Sequence, residues 1–175
     1  MRKIVLSGPN RALRTELQKA FYNNPDVYCV PEAAITVIDD ELEREKNEEG
    51  YIARHKETNF TAYGKLIIGK TLRQEKSIPQ NTEKALLNTG LCDLAAYATL
   101  NKCEFLLPRL KPLIGAARYS LAVICDPVLS NEEELHNLIL ASYEEANKEA
   151  RIPIIKLPSD DFESCLSRLQ REVNG

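Results

Sequence analysis

The sequence predicts a three-layer α/β/α fold in which helices cover both faces of a mostly parallel sheet. Three observations lead to this prediction. Short apolar runs alternate with longer segments of helical periodicity along the chain. The run Tyr119–Cys125 is mostly apolar, as expected of a strand that is buried on both faces of a parallel sheet. The length of 175 residues suits one compact domain, residues 1–175.

The first part of the chain predicts a strand, a turn, a helix and a second strand. Lys3–Ser7 is expected to be the first strand, and Gly8-Pro9-Asn10 is a turn signal. Apolar residues at helical spacing predict a helix from Ala12 to Tyr22. Val27–Val30 is expected to be the second strand, and a helix is expected to begin at Pro31 and to run to about Glu49.

The middle of the chain is predicted to be mainly helical. Residues 57–76 have a helical pattern, and Leu91–Lys102 forms a helix in which Asp93 caps the first turn. A further helix is predicted over Glu104–Leu113. Ala85–Asn88 fits either a buried strand or a helical turn, because four residues do not reveal their period.

The last part of the chain predicts a helix, a strand and a final helix. Residues 130–150 form the helix, with Ser130 as its N-cap. Ile152–Leu157 is expected to be a strand at a sheet edge, because a proline lies within it. Either Ser159 or Asp160 is expected to cap the final helix.

Charge and composition argue against several classes of partner. Lys and Arg number 23 and Asp and Glu number 26, so the net charge of −3 lacks the basic excess of nucleic-acid-binding proteins. Aromatic residues make up 6% of the chain, which argues against a base-stacking surface. No apolar run approaches the roughly 18–20 residues of a membrane span. We therefore expect neither a nucleic acid nor a membrane as a partner.

The five cysteines indicate a reducing compartment. They are odd in number, lie far apart and include no C-x-x-C pair, which fits neither a disulfide framework nor a zinc site. We expect most of them to be small buried apolar groups in a cytoplasmic protein.

The turn after the first strand is the candidate binding site, because ligands of an open parallel sheet bind beyond the carboxyl ends of its strands. Compared with the phosphate-loop pattern G-x-x-x-x-G-K-[ST], Gly8 and Thr15 match, while Leu13 replaces the second glycine and Arg14 the lysine. Backbone N–H groups of such a loop surround an anion, the cation neutralises phosphates, and the hydroxyl binds magnesium. The residues expected to bind the phosphates are Gly8, Asn10, Arg11, Ala12, Leu13, Arg14 and Thr15.

Three segments extend this pattern: Lys3–Pro9 with Thr15, Val30–Ala34, and Gly90–Tyr97. In this combination the sequence resembles the AAA-type P-loop ATPase/kinase family that includes ribosylnicotinamide kinase-like domains. The resemblance implies a five-stranded sheet in kinase order, a lid over the nucleotide, and ATP or GTP with Mg²⁺ as cofactors. It also implies that Thr15 binds the metal, that Arg14 acts in place of the catalytic lysine, and that Glu32 orients the substrate or a metal-bound water.

Departures from the family pattern predict weak or no catalysis. Members carry an Asp-Arg pair after the third strand, where this chain has Asn88-Thr89. An amide replaces a carboxylate neither as a base nor as a strong magnesium ligand. The family's lid supplies arginines, yet no arginine follows Asp126 until Arg151. Because phosphoryl transfer depends on positioning and on neutralising charge, we interpret the chain as a degenerate member.

Three functions stay open at this point. The first is a domain that binds a nucleotide or a phosphate-bearing small molecule with weak or no phosphoryl transfer. The second is a scaffold whose long charged helices dock a protein partner or a second copy. The third is an active ATP-dependent kinase for a small nucleoside-like substrate, in which Arg14 acts as the lysine does.

Overall fold

The structure is a computed structural model that describes residues 1–37, 60–158 and 160–175. In these residues five parallel strands form one sheet in the order β2-β3-β1-β4-β5. The strands are β1 (Arg2–Ser7), β2 (Val27–Val30), β3 (Lys84–Asn88), β4 (Leu121–Cys125) and β5 (Ile154–Leu157). The predicted five-stranded parallel α/β fold is confirmed, and the ambiguous segment at 85–88 is a strand.

Helices follow the strands as the periodicity predicted. They are α1 (Arg11–Lys19), α2 (Phe60–Lys76), α3 (Leu91–Leu100), α4 (Leu107–Ala117), α5 (Glu133–Ala150) and α6 (Phe162–Asn174). Residues 33–37 are helical, and the rest of the helix predicted to reach Glu49 lies outside the described residues, as do residues 57–59. Within the described ranges, no helix is both long and apolar enough to cross a membrane.

The strand order places β1 at the centre of the sheet. Ile4 of β1 lies opposite Leu86 of β3 on one side and Leu121 of β4 on the other. All five residues of β4 are buried, as predicted for a strand with two covered faces, although this strand is one place from the edge. Within the described part of the chain, β5 pairs with β4 alone and forms the edge that its neighbouring proline predicted.

The core consists of two apolar layers, one on each face of the sheet. On one face of the sheet, Val5 packs under α2, α3, α4 and α5. On the other face, Ile4 and Leu6 pack under α1 and α6. Alternate residues of β1 thus enter opposite layers, as the strand period of two requires. Four of the five cysteines are buried in these layers, as predicted: Cys92, Cys103, Cys125 and Cys165.

The final helix begins one residue later than predicted. Asp161 is its N-cap, and the side chain of Asp161 accepts a hydrogen bond of 3.1 Å from the backbone N–H of Ser164. The prediction of Asp160 as the cap is therefore wrong, and Ser159 lies outside the described residues. Asp161 is placed three residues before the N–H that it satisfies, which is the usual capping geometry.

Short 3-10 turns precede α4 and α5 where longer helices were predicted. Glu104–Leu106 precedes α4, and Ser130–Glu132 precedes α5, so Ser130 is not the N-cap of the α-helix. The Glu132 carboxylate instead accepts hydrogen bonds from the backbone N–H groups of Val128 and Leu129.

Candidate functional site

The loop between β1 and α1 is only three residues long, Gly8 to Asn10. Gly8 has a φ of +105°, and a Cβ built there would lie 2.1 Å from the carbonyl oxygen of Cys125, so only glycine fits. The Asn10 side chain accepts a hydrogen bond of 3.0 Å from the Leu13 N–H. The Asn10 carbonyl accepts one of 3.2 Å from the Arg14 N–H, which closes the first turn of α1.

The predicted phosphate loop spans eight residues, Gly8 to Thr15. In the structure, only the first three of them lie in a loop. Residues 11–15 already belong to α1, and Leu13 is 8% exposed and packs in the core with Leu6 and Leu17. Arg11, Ala12, Leu13, Arg14 and Thr15 form the first turn and a half of α1, because the Asn10 cap and the burial of Leu13 start the helix early. Phosphate contact by any of these residues stays a prediction.

Arg14 is turned towards the end of β3. Its side chain is 2% exposed, and Nη1 donates hydrogen bonds to Asn88 Oδ1 at 2.8 Å and to Thr89 Oγ1 at 2.5 Å. Nη2 lies 3.6 Å from Glu32 Oε2. Among the described residues, Arg14 Nε has no hydrogen-bond partner. The guanidinium thus contacts Asn88 and Thr89, the two residues that stand where the resemblance implies an Asp-Arg pair.

Thr89 holds a strained backbone at the same place. Its φ is +86°, in the left-handed region that β-branched residues rarely adopt. The Thr89 N–H donates a hydrogen bond of 2.9 Å to the Leu6 carbonyl, and its hydroxyl accepts the bond from Arg14. Strain of this kind persists where surrounding contacts fix the residue, and it is concentrated at functional sites.

Glu32 joins two arginines of α1. Its Oε2 lies 3.2 Å from Arg11 Nε as well as near Arg14, and the Glu32 side chain is almost fully buried, whereas Arg11 is half-exposed. Oε2 makes no hydrogen bond within the described residues. Two cations and one carboxylate leave this cluster with one surplus positive charge. A carboxylate that is already shared by two guanidinium groups is poorly placed to take a proton from a substrate.

A cavity of about 330 Å³ opens beside this cluster, between residues 32–34, α2 and α3. Arg11, Glu32 and Thr89 form its polar end, and the rings of Tyr63 and Tyr97 line it. Burial raises the pKa of both phenols, so they are neutral at pH 7. Neither tyrosine was predicted as a site residue, because their spacing in α2 and α3 is typical of ordinary helix packing and their meeting depends on the fold.

Asp93 is the centre of a second buried polar cluster, which includes Ser7, the residue just before the loop between β1 and α1. The Ser7 hydroxyl donates to Asp93 Oδ1, while the Gly90 N–H and the Tyr143 hydroxyl each donate to Oδ2 at 2.9 Å. Asp93 is 1% exposed, and its bond to Gly90 confirms the predicted capping role. Burial and the Asp93 carboxylate raise the pKa of Tyr143 well above its usual range, which keeps its hydroxyl a donor.

The surroundings of Thr15 fit magnesium poorly. The Asn88 amide lies 3.5 Å from the Thr15 hydroxyl, where the family pattern has a carboxylate. In the ranges 1–37, 60–158 and 160–175, no three His, Cys, Asp or Glu side chains come together as a metal site. Since Mg²⁺ prefers carboxylate and water oxygens, the Asn88 amide beside Thr15 is a weaker ligand than a carboxylate at that position would be.

A shallower polar pocket lies at the ends of β4 and β5, where the family's lid begins. His136 Nε2 is 3.8 Å from Asp126 Oδ1, and Lys156 also lines this pocket. Burial lowers the pKa of His136, while the Asp126 charge acts in the opposite direction. His136 Nδ1 is buried without a hydrogen-bond partner in the described residues.

Comparison with known proteins identifies the family of this fold and site. A family model described as an AAA domain matches residues 3–164. Thymidylate kinase from Ehrlichia chaffeensis has a similar structure, with a TM-score of 0.63 and 10% identity over 99% of this chain and 98% of that one. Thymidylate kinase from Candida albicans gives a TM-score of 0.62 and 10% identity over 99% and 91% of the two chains. The search of curated proteins gives no significant match. The chain therefore belongs to the AAA domain family and has the fold of the P-loop nucleotide kinases.

Proposed function

We propose that residues 1–175 form one domain that binds a nucleotide or a phosphate-bearing small molecule with weak or no phosphoryl transfer. In this proposal the chain is a degenerate relative of ribosylnicotinamide kinase-like domains. The observation that carries the proposal is the placement of Arg14, which is buried against Asn88 and Thr89 beside an open cavity. In this proposal the cavity binds the ligand, whereas Arg14, the residue in the position of the catalytic lysine, is held by its own contacts.

The cavity supports the binding half of the proposal. Its volume of about 330 Å³ lies in the range of small-molecule sites, and it combines aromatic and apolar walls with a few polar groups at one end. The surplus positive charge of Arg11 and Arg14 over Glu32 favours an anionic group at that end. Arg11 is the half-exposed member of the cluster, so we expect it to contact the ligand directly.

The same contacts support the loss of transfer. Phosphoryl transfer requires cations and a metal that are positioned to neutralise the charge of the moving phosphoryl group. Arg14 is held by Asn88, Thr89 and Glu32, and the closed turn at Asn10 leaves no eight-residue loop around a phosphate. We therefore expect any ligand to bind without a requirement for Mg²⁺.

Calorimetric titration tests binding, and a coupled ADP-release assay tests transfer. The protein is titrated with ATP, GTP and a nucleoside monophosphate, each with and without Mg²⁺. We expect measurable heat for at least one of them and a loss of affinity of about tenfold in Arg11→Ala, which corresponds to about 1.4 kcal/mol. Arg109→Ala, which removes an exposed arginine of α4, is the matched control.

Two results contradict the proposal in different ways. The absence of heat with every ligand removes the binding half. ADP release above background that disappears in Arg14→Ala supports the active kinase instead, with Arg14 in the role of the lysine and Glu32 orienting the substrate.

A further inference from the structure

A second, larger cavity lies on the face of the molecule that α3, α4 and α5 cover. It has a volume of about 750 Å³ and is a trough between α4 and α5 with α3 as its floor. Both outer helices pack on α3 but have little contact with each other. We call this feature the α4–α5 groove. It is separate from the cavity of about 330 Å³ that Arg11, Tyr63 and Tyr97 line, which lies on the other side of α3.

The residues that line the α4–α5 groove form one stripe along each of the two helices. On α5 the lining residues recur at helical spacing from Leu138 to Ala150, a length of about 18 Å at about 1.5 Å per residue. On α4 they run from Leu107 to Gly115. Two helical stripes that face one trough without meeting leave room for one more helix between them.

Small residues make the groove deep enough for a helix to approach closely. Ala141, Ser142, Ala146 and Ala150 form much of the α5 wall. A Cβ built on Gly115 of α4 meets no atom within 4 Å, so the trough is open down to the backbone of that helix.

The walls of the groove are apolar and continuous with the core. Leu107, Ile114 and Leu138 are only partly buried, and they pack on the same apolar layer that covers one face of the sheet. Burying their remaining exposed surface would contribute roughly 25 cal/mol per Å² of apolar area.

The charged rim indicates which kind of helix fits. Among the described residues, three of the four charged side chains that line the groove are carboxylates: Glu104, Glu145, Glu149, with Lys111 as the cation. Lys111 of α4 lies 3.3 Å from Glu149 of α5. Within α5, Lys148 lies 2.5 Å from Glu145. All four of these paired side chains are largely exposed, so their pairs are weak and can exchange for partner cations.

We propose that the α4–α5 groove docks a basic amphipathic helix of a partner protein, with its apolar face on the floor and its Lys or Arg side chains on the acidic rim. Recognition of this kind inserts apolar anchors at successive helical turns into a hydrophobic groove. The proposal is independent of ligand binding at the cavity that Arg11, Tyr63 and Tyr97 line.

Two synthetic helical peptides test this proposal. Both are about 14 residues long and share one Leu/Ala face, and their polar flanks carry either Lys or Glu. Fluorescence anisotropy with the intact protein is expected to give a Kd of about 10–50 µM for the Lys peptide at low salt. The Glu peptide is expected to bind at least about tenfold more weakly, and added salt is expected to reduce the difference.

Groove-filling variants locate the binding surface. Gly115→Leu places a side chain in open space, so it fills the groove without a clash, and Ala146→Trp fills the opposite wall. Each is expected to weaken binding of the Lys peptide about tenfold or more. Asn147→Trp, on an exposed position of α5 outside the groove, is the matched control and is expected to have no effect. Glu145→Lys with Glu149→Lys is expected to reverse the preference between the two peptides.

Four results overturn the proposal. They are the absence of binding by the Lys peptide, equal binding of both peptides, binding that Gly115→Leu leaves unchanged, and a dimer in sedimentation velocity that Gly115→Leu converts to a monomer. The last result identifies a second copy of this chain as the occupant. Chemical denaturation of each variant verifies that it is folded.

Discussion

Two buried charged side chains lie near the end of β1, and their surroundings differ in one respect. Asp93 accepts hydrogen bonds on both oxygens, from Ser7, Gly90 and Tyr143. Arg14 is equally buried, but its Nε and the neighbouring Glu32 Oε2 make no hydrogen bond within the described residues. A buried polar group without a partner costs free energy, so a native site that keeps one has a reason to do so. The Asp93 cluster is thus fully hydrogen-bonded, whereas the Arg14–Glu32 cluster, which we propose lies beside the ligand, keeps two buried polar atoms without hydrogen bonds among the described residues.

The largest effect is expected when the completed cluster is broken. Asp93→Ala leaves the donors of Ser7, Gly90 and Tyr143 without their acceptor, and each such loss costs about 1–3 kcal/mol. We expect the free energy of unfolding to fall by about 4 kcal/mol in urea denaturation. Asp93→Asn keeps one acceptor oxygen and is expected to lose less. Equal losses in the two variants would contradict the idea that the acceptors carry the effect.

A smaller effect is expected at the incomplete cluster. Arg14→Met removes the bonds to Asn88 and Thr89, but Glu32 keeps its ion pair with Arg11. We expect a loss of about 2 kcal/mol by the same measurement, because no buried charge is left without a counter-charge. If Arg14→Met lowered the free energy of unfolding as much as Asp93→Ala, Arg14 would be as important for stability as Asp93. That result would contradict the difference between the two clusters.

Relief of backbone strain is expected to stabilise the protein slightly. Thr89→Asn retains a hydrogen-bond acceptor for Arg14, and asparagine adopts positive φ more readily than a β-branched residue. We expect a gain of about 0.5–1 kcal/mol in the free energy of unfolding. Thr36→Asn, in a helical segment of ordinary φ, is the control and should give no gain. A loss at position 89 would mean that the threonine methyl group matters more than the backbone.

The smallest effect concerns His136, which lines a shallow pocket and whose buried Nδ1 makes no hydrogen bond within residues 1–37, 60–158 and 160–175. Its pKa is lower in the folded protein than in the unfolded chain, so protons bind preferentially to the unfolded chain. Stability is therefore full above about pH 6.5 and falls as the pH decreases towards the folded pKa. We expect His136→Gln to reduce the change in the urea midpoint between about pH 7 and pH 5. An unchanged pH dependence would exclude His136 as its source.

The strands and helices were predictable because their patterns are local. Apolar alternation and buried runs located β1, β2 and β4, and the proline before Ile154 predicted the sheet edge. Ala85–Asn88 stayed ambiguous because its strand character comes from pairing with Ile4 and its neighbours, which are about 80 residues away in sequence.

The candidate site was less predictable because its geometry depends on distant contacts. Gly8 to Thr15 matches a phosphate loop in part, but Asn10 is also an N-cap three residues before Leu13, and Leu13 is a core residue one turn before Leu17. Those two local signals were present in the sequence. In contrast, no local pattern could bring Tyr63 of α2 to Tyr97 of α3 around one cavity.

The Asp93 cluster joins three segments that we therefore expect to open together. It ties the end of β1, the turn after β3 and the middle of α5 to one carboxylate, although these segments are up to about 136 residues apart in sequence. None of the three can detach without exposing the bonds of the other two. Amide protons of β1, α3 and α5 should therefore exchange with deuterium in a single cooperative unit, while the edge strands β2 and β5 exchange earlier.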